Sequence, residues 1–99
     1  MFFILNTATH LIKALTIKIN NKNINNKNRI YLHYGDLRDP QSINKVVSDI
    51  VPDYTFHLAA QSLVEEGINF PSKTFSTNIN GTINLLDALR SCKKLKSII

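Results

Sequence analysis

Apolar positions change their spacing along this 99-residue chain, and the changes mark out its elements. Ile30-Tyr31-Leu32-His33-Tyr34 is a compact β-rich run ended by Gly35, which predicts a strand. Asp39 followed by Pro40 is an N-cap with proline at the first helical position. Ile43, Val46, Val47 and Ile50 then recur at i, i+3, i+4 and i+7, one stripe of an amphipathic helix. Val51-Pro52 ends it, because the residue before proline is pushed out of the helical region. Tyr54 to Leu58 predicts a second strand, so strand, helix and strand form a right-handed parallel βαβ unit. After a polar passage from Ser62 to Phe70, a second helix is predicted from near Pro71 to about Ser91. Its expected buried stripe is Phe75, Ile79, Thr82, Leu86 and Leu89, widened by Ile83 and Leu85. Lys93, Lys94 and Lys96 sit at its end, where cations favour the helix dipole, and Lys96 to Ile99 reads as the opening of another strand.

The first 29 residues lack this regularity. Residues 7–18 read either as a helix capped by Thr7 or Thr9, with Leu11, Ile12 and Leu15 as its apolar patch, or as a short strand around the β-branched Thr16-Ile17-Lys18-Ile19. Lys18 to Arg29 is an Asn/Lys tract too poor in apolar residues to bury anything. The chain therefore divides into an irregular basic segment, 1–29, and an ordered α/β part, 30–99.

Charge sharpens that division. The formal net charge is +5, and residues 1–29 carry five basic groups and no acid, while the remainder balances to zero. A basic tract reads as a nucleic-acid-binding arm or as a solvated insertion; the absence of interleaved aromatics favours the insertion. A single cysteine, Cys92, excludes a disulfide framework and a multi-cysteine zinc site, and the three histidines have no metal-ligand spacing. No apolar run approaches the roughly 20 residues of a membrane span, and Met1 to Leu5 lacks the basic residues of a secretory leader. A cytoplasmic chain is expected.

Candidate chemistry collects at strand ends. Asp36 follows the first predicted strand, and Leu58-Ala59-Ala60-Gln61-Ser62 runs from the second into small and polar residues. Small residues at the carboxyl end of a buried parallel strand let a flat polar ligand lie against the backbone. Downstream, Thr77-Asn78-Ile79-Asn80-Gly81-Thr82 places an asparagine and a glycine within the second helix. Glu65-Glu66 reads as solvated loop.

Taken in order, Leu32-His33-Tyr34-Gly35-Asp36-Leu37-Arg38-Asp39, Val51-Pro52-Asp53, His57 to Ser62, Thr77 to Thr82 and Asn84-Leu85-Leu86-Asp87-Ala88 resemble the extended short-chain dehydrogenase/reductase family, specifically its nucleotide-sugar 4,6-dehydratases and epimerases. The Leu-His-Tyr-Gly-Asp-Leu string and Ala-Gln-Ser are most similar to the GDP-mannose 4,6-dehydratases; His-Leu-Ala-Ala-Gln and Thr-Asn-x-x-Gly-Thr are closer to CDP-glucose 4,6-dehydratases and the epimerases. The resemblance implies a partial Rossmann-like parallel sheet with flanking helices, lacking the first glycine-rich βαβ unit and the C-terminal substrate domain. It implies NAD(P) as cofactor, and NADP on the likeness to GDP-mannose dehydratases. Asp36 would accept from the adenine amino group with the Leu37 backbone beside it; Leu58, Ala59, Ala60, Gln61 and Ser62 would line the ribose and pyrophosphate side. Asn78 would brace the site and Gly81 would let its helix pack closely on the sheet.

The departures set limits on activity. No Gly-x-x-Gly-x-x-Gly and no Tyr-x-x-x-Lys occurs, so neither the phosphate loop nor the general base is present and no catalytic residue is assigned. Lys73 stands where GDP-mannose enzymes have a tyrosine, and Asn78 where they often have an acid. Weak or absent cofactor binding by the chain alone is therefore expected. Three functions follow, in order: a truncated portion of a nucleotide-sugar dehydratase or epimerase, whose whole enzyme acts on a nucleotide sugar; a non-catalytic fragment that binds a full-length homologue or the missing parts; and a nucleic-acid binder using the basic tract.

Overall fold

The computed structural model describes residues 2–6, 11–17, 30–60 and 64–99, with side chains from residue 32 onward within them. The elements in chain order are β1 (Phe2–Asn6), β2 (Leu11–Ile17), β3 (Ile30–Asp36), α1 (Pro40–Ile50), β4 (Tyr54–Leu58), α2 (Val64–Asn69), α3 (Pro71–Arg90) and β5 (Ser97–Ile98). This is an α/β fold, as the resemblance implies. Five strands form one sheet in the order β3-β2-β1-β4-β5.

Two expectations for the amino-terminal segment are corrected. Residues 2–6 and 11–17 are strands rather than irregular chain, and the helix reading of 7–18 does not hold over Leu11–Ile17. Four residues separate β1 from β2. That connection is too short for a helical crossover, so the two strands pair antiparallel, Phe3 opposite Leu15 and Leu5 opposite Lys13. β2 also runs antiparallel to β3, whereas β1 pairs parallel with β4, and β4 with β5. The sheet is thus parallel in four strands and interrupted by β2. The unit β3-α1-β4 remains a parallel crossover, but β2 and β1 lie between its strands. The Asn/Lys tract at 18–29 lies outside the described residues.

α1 forms as its sequence predicts. Asp39 accepts a hydrogen bond from the Gln41 N–H at 3.1 Å, Pro40 opens the helix, and Ile43, Val46 and Val47 are buried. Val51 closes it in a left-handed conformation, φ 48°, its N–H bonded to the Val47 carbonyl at 2.8 Å. β3 runs past Gly35 to Asp36 rather than stopping at the glycine. A Cβ at Gly35 would stand 2.7 Å from Ser42 Oγ, so the bare backbone there lets α1 close onto the strand.

α3 has the expected ends but a different buried face. Gly81, Leu85, Ala88 and Leu89 are buried, while Phe75 is 66% exposed and Ile79 and Ile83 55% each. Only Leu85 and Leu89 of the expected stripe are fully inside. The small residues decide this: Gly81 comes within 3.1 Å, measured from a built Cβ, of Leu37 Cβ, and Leu37 is buried by that approach. The close contact of Gly81 is therefore with the turn after β3 rather than with a strand. The passage before α3 is also not all loop, since Val64–Asn69 forms α2, a short helix with no buried residue. The core gathers Leu37, Ile43, Val46, Val47, Ala59, Leu85, Ala88 and Leu89 between α1, α3 and the sheet, with Ile50, Cys92 and Leu95 packed against it. Burial pushes the Cys92 thiol pKa up.

Candidate functional site

The carboxyl ends of β1, β3 and β4 lie along one sheet edge, which brings Asp36 and Ala59-Ala60 to the same side of the molecule. The strand order reverses between β1 and β4, and an open α/β sheet binds ligands outside the carboxyl ends at such a point.

Asp36 is built into a tight polar turn. Its N–H donates to Ser42 Oγ at 3.3 Å and its carbonyl accepts from the Asp39 N–H at 3.0 Å. Arg38 then clamps the carboxylate: its backbone N–H reaches Oδ1 at 2.9 Å, Nε lies 3.0 and 3.2 Å from the two oxygens, and Nη2 lies 2.6 Å from Oδ2. The side chains are 25% and 44% exposed, so the pair adds no more than about 1 kcal/mol to stability. Its effect is to fix the direction of an ionised, acceptor-only group at the strand end. The sequence pattern points to Asp36 without this arginine, whose spacing of two residues fits a local turn.

The other candidates divide. Leu37 sends its side chain into the core, and its carbonyl accepts from Asn84 Nδ2 at 2.8 Å, tying the turn to α3 across 47 residues of sequence. Leu58 is exposed, Ala59 is buried and Ala60 is exposed. Ala59 thus packs inside while Ala60 presents a small side chain at the edge. Gln61 and Ser62 lie outside the described residues. Asn78 is half-buried on α3, its carbonyl accepting from the Thr82 hydroxyl at 2.8 Å, and Gly81 faces Leu37.

His57 was not among the expected site residues. Its Nε2 lies 3.1 Å from Thr82 Oγ1, joining β4 to α3 one strand-step before the site. No local signal marks a pair 25 residues apart. Burial lowers the His57 pKa below its ordinary 6.5. The unfolded chain then takes up the proton more readily than the folded one. Stability from the neutral ring is fully present above the unfolded pKa and is lost as pH falls through it toward the folded value. Urea midpoints are therefore expected to drop as pH is lowered below about 6.5, and His57→Phe is expected to flatten that limb of the profile.

Among the described residues no helix is long and apolar enough to cross a membrane. Comparison with known proteins connects the geometry to a lineage. A family model described as GDP-mannose 4,6 dehydratase matches residues 2–99. GDP-mannose 4,6 dehydratase 2 of Caenorhabditis elegans is 39% identical over 67 residues, 68% of this chain and 18% of the relative. CDP-glucose 4,6-dehydratase of Salmonella typhimurium is 34% identical over 67 residues, 68% of this chain and 19% of the relative. UDP-glucose 4-epimerase of Mycoplasma genitalium is 35% identical over 85 residues, 81% of this chain and 25% of the relative. The chain spans about a fifth to a quarter of the length of these relatives. With the family model matched over nearly every residue of an α/β fold, the chain belongs to the GDP-mannose 4,6-dehydratase family of nucleotide-sugar dehydratases and epimerases.

Proposed function

We propose that this chain is the adenosine-side portion of the NAD(P)-binding domain of a nucleotide-sugar 4,6-dehydratase of the GDP-mannose kind, inactive alone. One observation carries the reading: an oriented carboxylate, Asp36, and a small exposed residue, Ala60, share the carboxyl edge where the strand order reverses. The residues fit the adenosine end of such a cofactor. Asp36 accepts from an exocyclic amino group, the turn at Leu37 and Arg38 borders the ring, and Ala60 leaves room for the ribose. The pyrophosphate end has no glycine-rich loop in the sequence to receive it. The cofactor, NADP on this reading, supplies hydride transfer to and from the sugar C4 in the whole enzyme, around elimination of water across C5–C6. No residue of this chain is given the role of general base.

Titration of the isotope-labelled 99-residue chain with NADPH tests both halves of the reading. Amide shifts at Asp36, Leu37, Arg38 and Ala60 that do not saturate at millimolar cofactor are expected. Unmoved resonances there would remove the adenosine site; saturation in the micromolar range would show that the chain holds the pyrophosphate by itself.

A second reading is a non-catalytic chain that docks on a full-length relative. It is favoured by the apolar surface left open at Leu32, Tyr34 and Leu58 on the sheet and at Phe75, Ile79 and Ile83 on α3. Stoichiometric co-purification with a full-length relative, indifferent to NADPH, separates it from the first.

A further inference from the structure

Among the described residues, two buried polar atoms on the helix-covered face of β4 have no hydrogen-bond partner, Thr55 Oγ1 and His57 Nδ1. Their chemistry is complementary, and the contacts around them fix which gives and which receives. The Thr82 hydroxyl has one proton, which it donates to the Asn78 carbonyl at 2.8 Å. Towards His57 it can only accept, so the neutral ring carries its hydrogen on Nε2 and donates it across the 3.1 Å contact. Nδ1 is then a bare acceptor. Thr55 is fully buried, and its hydroxyl offers a proton with nothing to take it.

The two residues are i and i+2 on one strand, so their side chains rise from the same face about 6.5 to 7 Å apart at the backbone. Neither atom bonds the other, and one small molecule that accepts from the hydroxyl and donates to the ring nitrogen would satisfy both. Leaving both atoms bare would cost about 1–3 kcal/mol each, more than the immobilisation entropy of a bound water. We infer that one water molecule is held beneath α3, accepting the hydroxyl proton of Thr55 and donating to Nδ1 of His57. Thr55, the water, His57, Thr82 and the Asn78 carbonyl then form a polar chain in which every donor points the same way, an arrangement whose bonds reinforce one another. It runs from the middle of β4 to the turn of α3 that carries Asn78, and holds that turn in register with the strand leading to Ala59 and Ala60.

The test is made on the intact 99-residue chain in solution, with the site free of any cofactor. Nitrogen-15 spectra of the imidazole are expected to show the Nε2–H tautomer at neutral pH. Water-to-protein cross-relaxation is expected at the Thr55 hydroxyl proton, whose complete burial slows its exchange. Thr55→Val should abolish that cross-peak and leave the tautomer unchanged, and Thr55→Ser should restore it. An Nδ1–H tautomer, or a Thr55 hydroxyl without contact to a resident water, overturns the inference. Both of these readouts come from the unaltered protein, so they decide the matter even if Thr55→Val fails to fold.

Discussion

Leu85→Ala is expected to destabilise the fold by about 2–5 kcal/mol, the range for emptying a fully buried leucine site. Leu85 is 0% exposed and sits where α3 meets the remaining core residues, so little can collapse into the space left. Domain stabilities of about 5–15 kcal/mol make this a large fraction of the whole. Urea unfolding followed by far-ultraviolet circular dichroism should show a midpoint lowered by about 1 M or more. Leu86→Ala is the internal control. This neighbour in sequence is 46% exposed, and its replacement should cost about 0.5 kcal/mol or less. Equal losses from the two variants would mean that α3 buries a different face.

That contrast also shows what the sequence disclosed and what it withheld. α1 was legible in full, because its start is written in Asp39 and Pro40 and its apolar residues lie on one side only. α3 was legible in extent but not in orientation. It carries large apolar residues on two sides, and the side that packs is the one where Gly81 and Ala88 permit close approach, not the one where Phe75 and Ile79 stand. Hydrophobicity counts favour bulk; close packing here is set by smallness. β2 was ambiguous for a different reason. Leu11–Ile17 has no periodicity that excludes a helix, and its strand state is decided by pairing on both edges with β1 and β3. Gly35 read as a strand terminator because glycine usually punctuates, yet here it admits the Ser42 side chain. Of the candidate site, the positions of Asp36 at the end of β3 and Ala60 just beyond β4 were legible from local pattern. The Arg38 clamp and the His57–Thr82 contact were not, and the latter depends on a tertiary approach no local spacing encodes.

Gly81→Val is expected to be the substitution that couples core to site. A Cβ at this position already stands 3.1 Å from Leu37 Cβ and 3.5 Å from its Cδ1, and valine adds two methyl groups to that contact. Overpacking of this kind costs about 1–3 kcal/mol. Leu37 cannot retreat without moving its own carbonyl, which holds Asn84 Nδ2 at 2.8 Å, or the adjoining Asp36–Arg38 turn. The displacement should therefore show itself twice: as a lowered urea midpoint and as amide shifts at Asp36, Leu37 and Arg38, far from residue 81 in sequence. Gly81→Ala separates the two effects. Alanine gains up to about 1 kcal/mol in helix propensity while meeting the same 3.1 Å contact, so its stability should stay within about 1 kcal/mol of the parent. A valine variant as stable as the parent, with the turn resonances unmoved, would show that α3 does not lean on Leu37. The position of Asp36 would then have to be set by β3 and Ser42 alone.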